Sequence, residues 1–238
     1  MIVTVPYDPP RAAPPQPPLG ADRDHGGSIE IGAALYRLLT GHYQNEAELD
    51  DDRSFDAHVF ASILAVAAAE GGAVNERAGL RADDLALLIA RWFPEARHLV
   101  LLWRPQNAHA EDAEVAMVRD LLSLNCSTPG EDGRWLAAMV ARRALETNHL
   151  WEDLGLRNRG ELSRLLTRHF APLAERNTRN MRWKRFFYRQ LCEDDGFLMC
   201  ATPVCTDCPD FDLCFGEESG ESRLAQRNRA LSSTTAAV

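Results

Sequence analysis

Four of the six cysteines, Cys200, Cys205, Cys208 and Cys214, fall within a fifteen-residue stretch, separated by four, two and five residues. Thiolates so close in sequence converge on one point only if the backbone between them turns back on itself, and Pro203, Asp207, Pro209 and Asp210 supply residues suited to such turns. Two metal classes use a four-thiolate set. A structural zinc ion usually draws two ligand pairs from separate knuckles. An iron-sulfur cluster is wider than a single ion, and its spacings commonly place three cysteines in one short loop. The compact spacing here favours a cluster and leaves zinc open.

The segment leading into this loop, "MRWKRFFYRQLCE" from Met181, has helical periodicity. On a helix, Trp183, Phe186, Phe187 and Leu191 form an apolar stripe, while Arg182, Arg185 and Arg189, with the chain's single lysine Lys184 nearby, form a basic one. The ordinary reading is a helix docked on a core with a solvated cationic face. The functional reading is that these cations stabilise the charge of a thiolate-ligated cluster or receive an oxyanion such as molybdate or phosphate, which suits the donor fork of arginine. Both can hold together.

Other metal-ligating types are weaker candidates. Glu146 with His149, and Glu95 with His98, have the Glu-x-x-His spacing of carboxylate-bridged di-iron bundles, but Glu95 follows a break at Pro94. His149 fits a capping or packing role before Trp151, with auxiliary ligation as the sharper alternative. Cys192 ends the basic helix near enough to the loop to serve as an auxiliary ligand. Cys126 reads as a small buried hydrophobe.

The elements that must position these residues read as mostly α, with an irregular C-terminal four-cysteine metal-binding loop. Seven of the thirteen prolines lie in the first twenty residues, which predicts a disordered lead over 1–26. A helix capped by Ser28 is expected, with Ile31, Leu35, Leu38 and Leu39 on one side. A second is expected from Ser54 to Gly71, and a third over "DDLALLIARW" before Pro94. The run "HLVLLW" from His98 fits a strand, a buried helix or an extended connection equally. Further helices are expected near 110–124, 132–146, 159–174 and 178–192, with breaks at or near Gly155, Asn158, Gly160, Pro172 and Asn177. The helical part thus spans 27–192, the cysteine loop packs on it over 193–216, and a polar tail over 217–238 is expected to be disordered.

Composition narrows the partners. A net charge of -9 disfavours general binding to nucleic acid or an anionic membrane. The longest apolar run, from Val59, is too short for a membrane helix, and the N-terminus lacks the pattern of a secretory signal. A cytoplasmic location is expected, where clustered thiols act as metal ligands or redox groups more often than as disulfides.

Three ordered motifs, "NHLWEDLGL" at 148–156, "MRWKRFFYRQLCE" at 181–193 and the four-cysteine spacing ending in "CFGEE", resemble the NifQ family of nitrogen-fixation proteins over the region from Asp132 to Glu218. The resemblance implies a metallocluster carrier rather than an enzyme: an iron-sulfur protein that acquires molybdenum and delivers it for assembly of the nitrogenase iron-molybdenum cofactor. It implies Cys200, Cys205, Cys208 and Cys214 as cluster ligands, and the assembly scaffold NifEN and the nitrogenase iron protein NifH as partners. A zinc-stabilised interaction module is the main alternative. An iron-sulfur-stapled DNA-processing protein is disfavoured by the absence of a phosphate-binding Gly-rich loop ending in Lys-Ser/Thr and of an Asp/Glu-x-Lys signature.

Overall fold

The computed structural model describes residues 25–103 and 112–194, with side chains over 30–103 and 112–191. All regular structure in these residues is helical. The main helices are α1 (His25–Thr40), α2 (Asp52–Ala69), α3 (Val74–Arg77), α4 (Ala82–Trp92), α5 (His98–Trp103), α6 (Ala113–Leu124), α7 (Glu131–Ala144), α8 (Leu150–Asp153), α9 (Arg159–His169), α10 (Ala171–Arg176) and α11 (Trp183–Asp194). No helix among the described residues is long and apolar enough to cross a membrane. The lead before residue 25, the cysteine loop and the tail lie outside the described residues.

Helix α2 is the centre of the core. Phe55, Val59, Phe60, Ile63 and Leu64 are fully buried along with several small residues, so this helix is covered around most of its circumference. It starts at Asp52, two residues before the expected Ser54, and its cap is Asp51, whose carboxylate accepts from the Ser54 amide at 2.9 Å. It ends at Gly71, where φ is +74°, a conformation glycine adopts without steric cost. Helix α1 packs against α2 and buries Leu35, Tyr36 and Leu39, while α9 adds Leu162, Leu165 and Leu166 to the same core and meets α2 through polar pairs.

Several boundaries differ from the sequence expectation for local reasons. Ser28 lies inside α1, not at its cap, and Ile31 and Leu38 are exposed, because the buried side of α1 carries Leu35, Tyr36 and Leu39. "HLVLLW" is the helix α5, with Leu99 buried and Leu101 and Leu102 exposed. The expected helix over 159–174 divides at Phe170 into α9 and α10, with Asn158 as the α9 cap and Gly160 within it. Before α11, Asn177 accepts from the Met181 amide at 2.8 Å and donates to its carbonyl at 3.0 Å, holding 177–182 as a turn. Glu193 and Asp194 complete α11 rather than opening the cysteine loop.

Two buried histidines bind α2 to α9. Tyr36 Oη lies 2.8 Å from His58 Nδ1, and His58 Nε2 lies 3.0 Å from Glu161. Thr128 Oγ1 lies 2.7 Å from His169 Nδ1, and His169 Nε2 lies 2.9 Å from Asp56. Each carboxylate also takes an arginine: Arg157 on Glu161, Arg168 on Asp56. Burial works to raise the Glu161 pKa, but hydrogen bonds from His58 and from the backbone and side chain of Arg157 outweigh it and hold the value at about 2. Burial likewise raises the Tyr36 hydroxyl, to about 12.

A carboxyl held below its unfolded value contributes stability that is present above that value and is lost as pH falls through the folded one. Glu161→Gln is therefore expected to lower stability near neutral pH by about 2 to 4 kcal/mol and to flatten the acid limb of the stability profile between about pH 5 and 2. Urea unfolding of both proteins across that range checks it; parallel profiles would refute the assignment.

Candidate metal centre and its supporting helix

The candidate ligands Cys200, Cys205, Cys208 and Cys214 lie outside the described residues, and Cys192 is described only as part of the α11 backbone. Among the described residues, no group of three or more His, Cys, Asp or Glu side chains is placed to hold a metal ion. What the structure describes is the platform from which the cysteine segment departs: α11, which ends six residues before Cys200.

Amphipathic sequence sets how α11 sits. Trp183, Phe186 and Phe187 are buried, and Leu191 packs partly buried against the core. The rings of Trp183 and Phe186 meet edge-on, 5.8 Å between centroids. α11 lies against α6, where the Tyr188 hydroxyl donates to Glu114 at 2.5 Å. Burial and that neighbouring carboxylate push the Tyr188 pKa up, so the hydroxyl keeps its proton.

The basic residues of this helix divide in role. Lys184 donates from Nζ to Asp153 Oδ2 and to the Glu146 carbonyl, both at 2.5 Å. Its partner carboxylate is 2% exposed, so this pair is a buried strut to the α7–α8 turn rather than a solvated charge. Arg182, Arg185 and Arg189 are part-exposed; Arg189 Nη1 approaches Met181 Sδ at 3.8 Å. Arg185 has no hydrogen-bond or ion-pair partner among the described residues.

Asp153 is itself held from two sides. Asn148 donates to its other oxygen at 3.1 Å, and Arg143 donates from Nε to its carbonyl at 2.7 Å. Arg143 is 1% exposed and grips Glu70 with both terminal nitrogens, at 2.7 and 2.5 Å. Gly155, just beyond α8, has φ of +70°, and a Cβ there would lie 2.8 Å from the Ser62 carbonyl, so glycine lets this turn seat against α2. The chain of contacts Glu70–Arg143–Asp153–Lys184 connects α2, α7, α8 and α11.

Sequence reasoning missed this chain. Two signals pointed to it: Arg143 shares a helical face with the apolar Leu136, Met139 and Val140, and Glu70 sits at a helix C-terminus, where the dipole disfavours an acid without a cationic partner.

The alternative di-iron grouping is not assembled. Glu95 and His98 are exposed, and Glu146 pairs with Arg142 at 2.9 Å. His149 precedes α8, where its amide donates to Glu152 at 3.1 Å, in keeping with a capping role. Cys126 is partly buried against the core and its thiol lies 3.1 Å from the Thr128 carbonyl.

Removing one partner of a buried pair leaves the other charge uncompensated. Lys184→Met is therefore expected to cost about 3 to 5 kcal/mol in chemical denaturation. Lys184→Met with Asp153→Asn in the same chain should recover part of the loss; equal losses in the single and double variants would exclude the strut.

Comparison with known proteins gives one consistent answer. The family model described as NifQ matches residues 59–216, a span that contains all four clustered cysteines. The similarity thus begins in α2, well before the Asp132 limit expected from the motifs. The protein named "Protein NifQ homolog" of Sinorhizobium fredii is 40% identical over 73% of this chain and 77% of its own length. "Protein NifQ" of Rhodobacter capsulatus is 43% identical over 67% of this chain and 87% of its own, and "Protein NifQ" of Azotobacter vinelandii is 54% identical over 35% and 43%. No solved structure matches the chain. On the extent of the family match and the coverage of these relatives, the chain belongs to the NifQ family.

Proposed function

We propose that this protein is an iron-sulfur carrier that binds molybdenum and delivers it for biosynthesis of the nitrogenase iron-molybdenum cofactor, acting without catalysis of its own. The observation that carries the proposal is the family match, whose span runs from the helical core through the whole four-cysteine segment. The donor set fits such a group: four thiols in fifteen residues supply soft, anionic ligands suited to iron-sulfur centres. Cys200, Cys205, Cys208 and Cys214 would hold the cluster. When bound, it would supply bridging sulfides, soft donors for molybdenum as cargo.

The chain's own residues serve that role in two ways. Lys184 and the apolar face of α11 fix the helix from which the cysteine segment departs. Arg182, Arg185 and Arg189 bring positive charge to that helix, which favours an anionic cluster or molybdate. Delivery would be to NifEN and NifH in the cytoplasm. His149 is engaged at the start of α8, and Cys192 stands as an auxiliary ligand only.

Anaerobic purification followed by metal analysis and electron paramagnetic resonance tests the proposal. Iron and molybdenum are expected in the unsubstituted protein, and Ala at any one of Cys200, Cys205, Cys208 or Cys214 should lower iron content, while Cys126→Ala should not. A protein holding zinc alone, or equal iron in all five variants, would sink it. Replacing Arg182, Arg185 and Arg189 with Gln is expected to lower molybdenum content at unchanged helicity; unchanged molybdenum would assign these residues to a solvated face.

A further inference from the structure

Charge in this chain is sorted by segment. Residues 157–189 carry ten Arg and Lys against two acids, Glu161 and Glu175, inside a chain of net charge -9. Residues 193–218, the cysteine segment, carry eight Asp and Glu and no Lys, Arg or His. Adjoining blocks of opposite sign attract one another at any distance shorter than the screening length.

The fold divides the basic block into two sets. Acids from other helices meet the first: Asp52 and Asp56 take Arg164 and Arg168, and Asp153 takes Lys184. The second set gathers at the 177–182 turn. Arg159 Nη2 donates to the Met181 carbonyl at 3.0 Å, and to the carbonyl and side-chain oxygens of Asn180 at 3.0 and 2.8 Å. Arg189 reaches back along α11 to the same residue, its Nη1 lying 3.8 Å from Met181 Sδ. Two guanidiniums from opposite ends of the basic block thus converge on Met181, with Arg182 next to it in the chain and Arg185 one helical turn on. Carbonyls and a thioether orient these groups without opposing their charge, and like charges brought together favour an anion beside them.

Covalent attachment selects which anion. Helix α11 is about 18 Å long. Residues 195–207 span up to about 40 Å when extended, so the segment leaving the far end of α11 has ample chain to bring Asp207, Asp210 and Asp212 back to the first turn. A tethered group acts at roughly millimolar effective concentration, which a separate acidic protein does not match.

We propose that the arginine cluster around Met181 is the docking face for the cysteine segment of the same chain, held there by the carboxylates of Asp207, Asp210 and Asp212. These three acids lie between Cys205 and Cys214, so seating them seats the loop that Cys205, Cys208 and Cys214 share. The docking follows from charge and tether, and does not depend on which metal the thiols hold or on the carrier function.

Limited chymotrypsin digestion of the full, anaerobically purified chain reads the docking through cuts at Phe211 and Phe215, assigned by mass spectrometry. A peptide of residues 195–218 sets the unprotected rate. At low salt the parent chain is expected to be cut about tenfold more slowly than the peptide, with the protection eased by salt. Arg182→Glu with Arg185→Glu should bring the rate close to that of the peptide at unchanged circular dichroism. Adding Asp207→Arg and Asp210→Arg to that chain should restore slow cutting, measured against a peptide carrying the same two changes. Equal rates in the parent and the Arg182→Glu, Arg185→Glu chain would overturn the proposal. Loosening that the charge swap fails to restore would overturn it as well, and would give the face to a separate acidic partner. Iron and molybdenum content of the unsubstituted protein reports on the carrier function; zinc alone there leaves the digestion result standing, so the two readings fail by different results.

Discussion

A single guanidinium, Arg143, holds the structure to its pattern. Taking an always-charged group almost wholly out of water is costly unless its donors are met in good geometry. Arg143 meets that demand by gripping the Glu70 carboxylate end-on and sending Nε to the Asp153 carbonyl. Those two acceptors must then stand where the fork points, which fixes the end of α2 relative to α8. The fixed Asp153 carboxylate in turn sets where Lys184, and with it the first turn of α11, can dock. A geometric requirement at the core is thereby passed to the helix that precedes the sulfur ligands.

The N-terminal half of α2 uses the same logic with different groups. Tyr36–His58–Glu161–Arg157 and Thr128–His169–Asp56–Arg168 are two chains of like composition, hydroxyl to imidazole to carboxylate to guanidinium. Buried polar chains of this type contribute little net stability when every member is satisfied, but they penalise any other alignment of the helices heavily. Apolar contacts alone would let α1, α9 and the 125–130 turn slide on α2; these chains remove that freedom.

Much of this was legible in the sequence because it follows from local rules. Helical periodicity located α2, α4, α6 and α7, and the apolar stripe of α11 named Trp183, Phe186 and Phe187 correctly as core, whereas the caps Asp51, Asp112 and Asn158 were not identified from the sequence. The remaining failures share one cause, long-range pairing. Lys184 read as part of a cationic face because its partner, Asp153, lies thirty-one residues earlier in sequence, and nothing local reveals that pairing. The buried histidines were equally silent, since a histidine at helical phase looks the same whether it meets a carboxylate or solvent. "HLVLLW" was ambiguous because a six-residue apolar run is too short for periodicity to separate strand from helix. The ligand cysteines were the reverse case: spacing made their chemistry readable, although they stand outside the described residues.

The histidine chains also govern the order in which the molecule can form. Their members lie 103 and 113 residues apart in sequence, so α2 cannot complete its polar contacts until α9 has been synthesised. Closing loops of that length costs about 4 kcal/mol in chain entropy, to be recovered only when the far helix arrives. The N-terminal third of a nascent chain thus emerges with α2 covered by α1 but without its polar partners on α9, and compaction is completed only when α9 arrives. In a growing chain, the polar contacts that complete the helical body therefore form only shortly before the clustered cysteines at 200–214 are added.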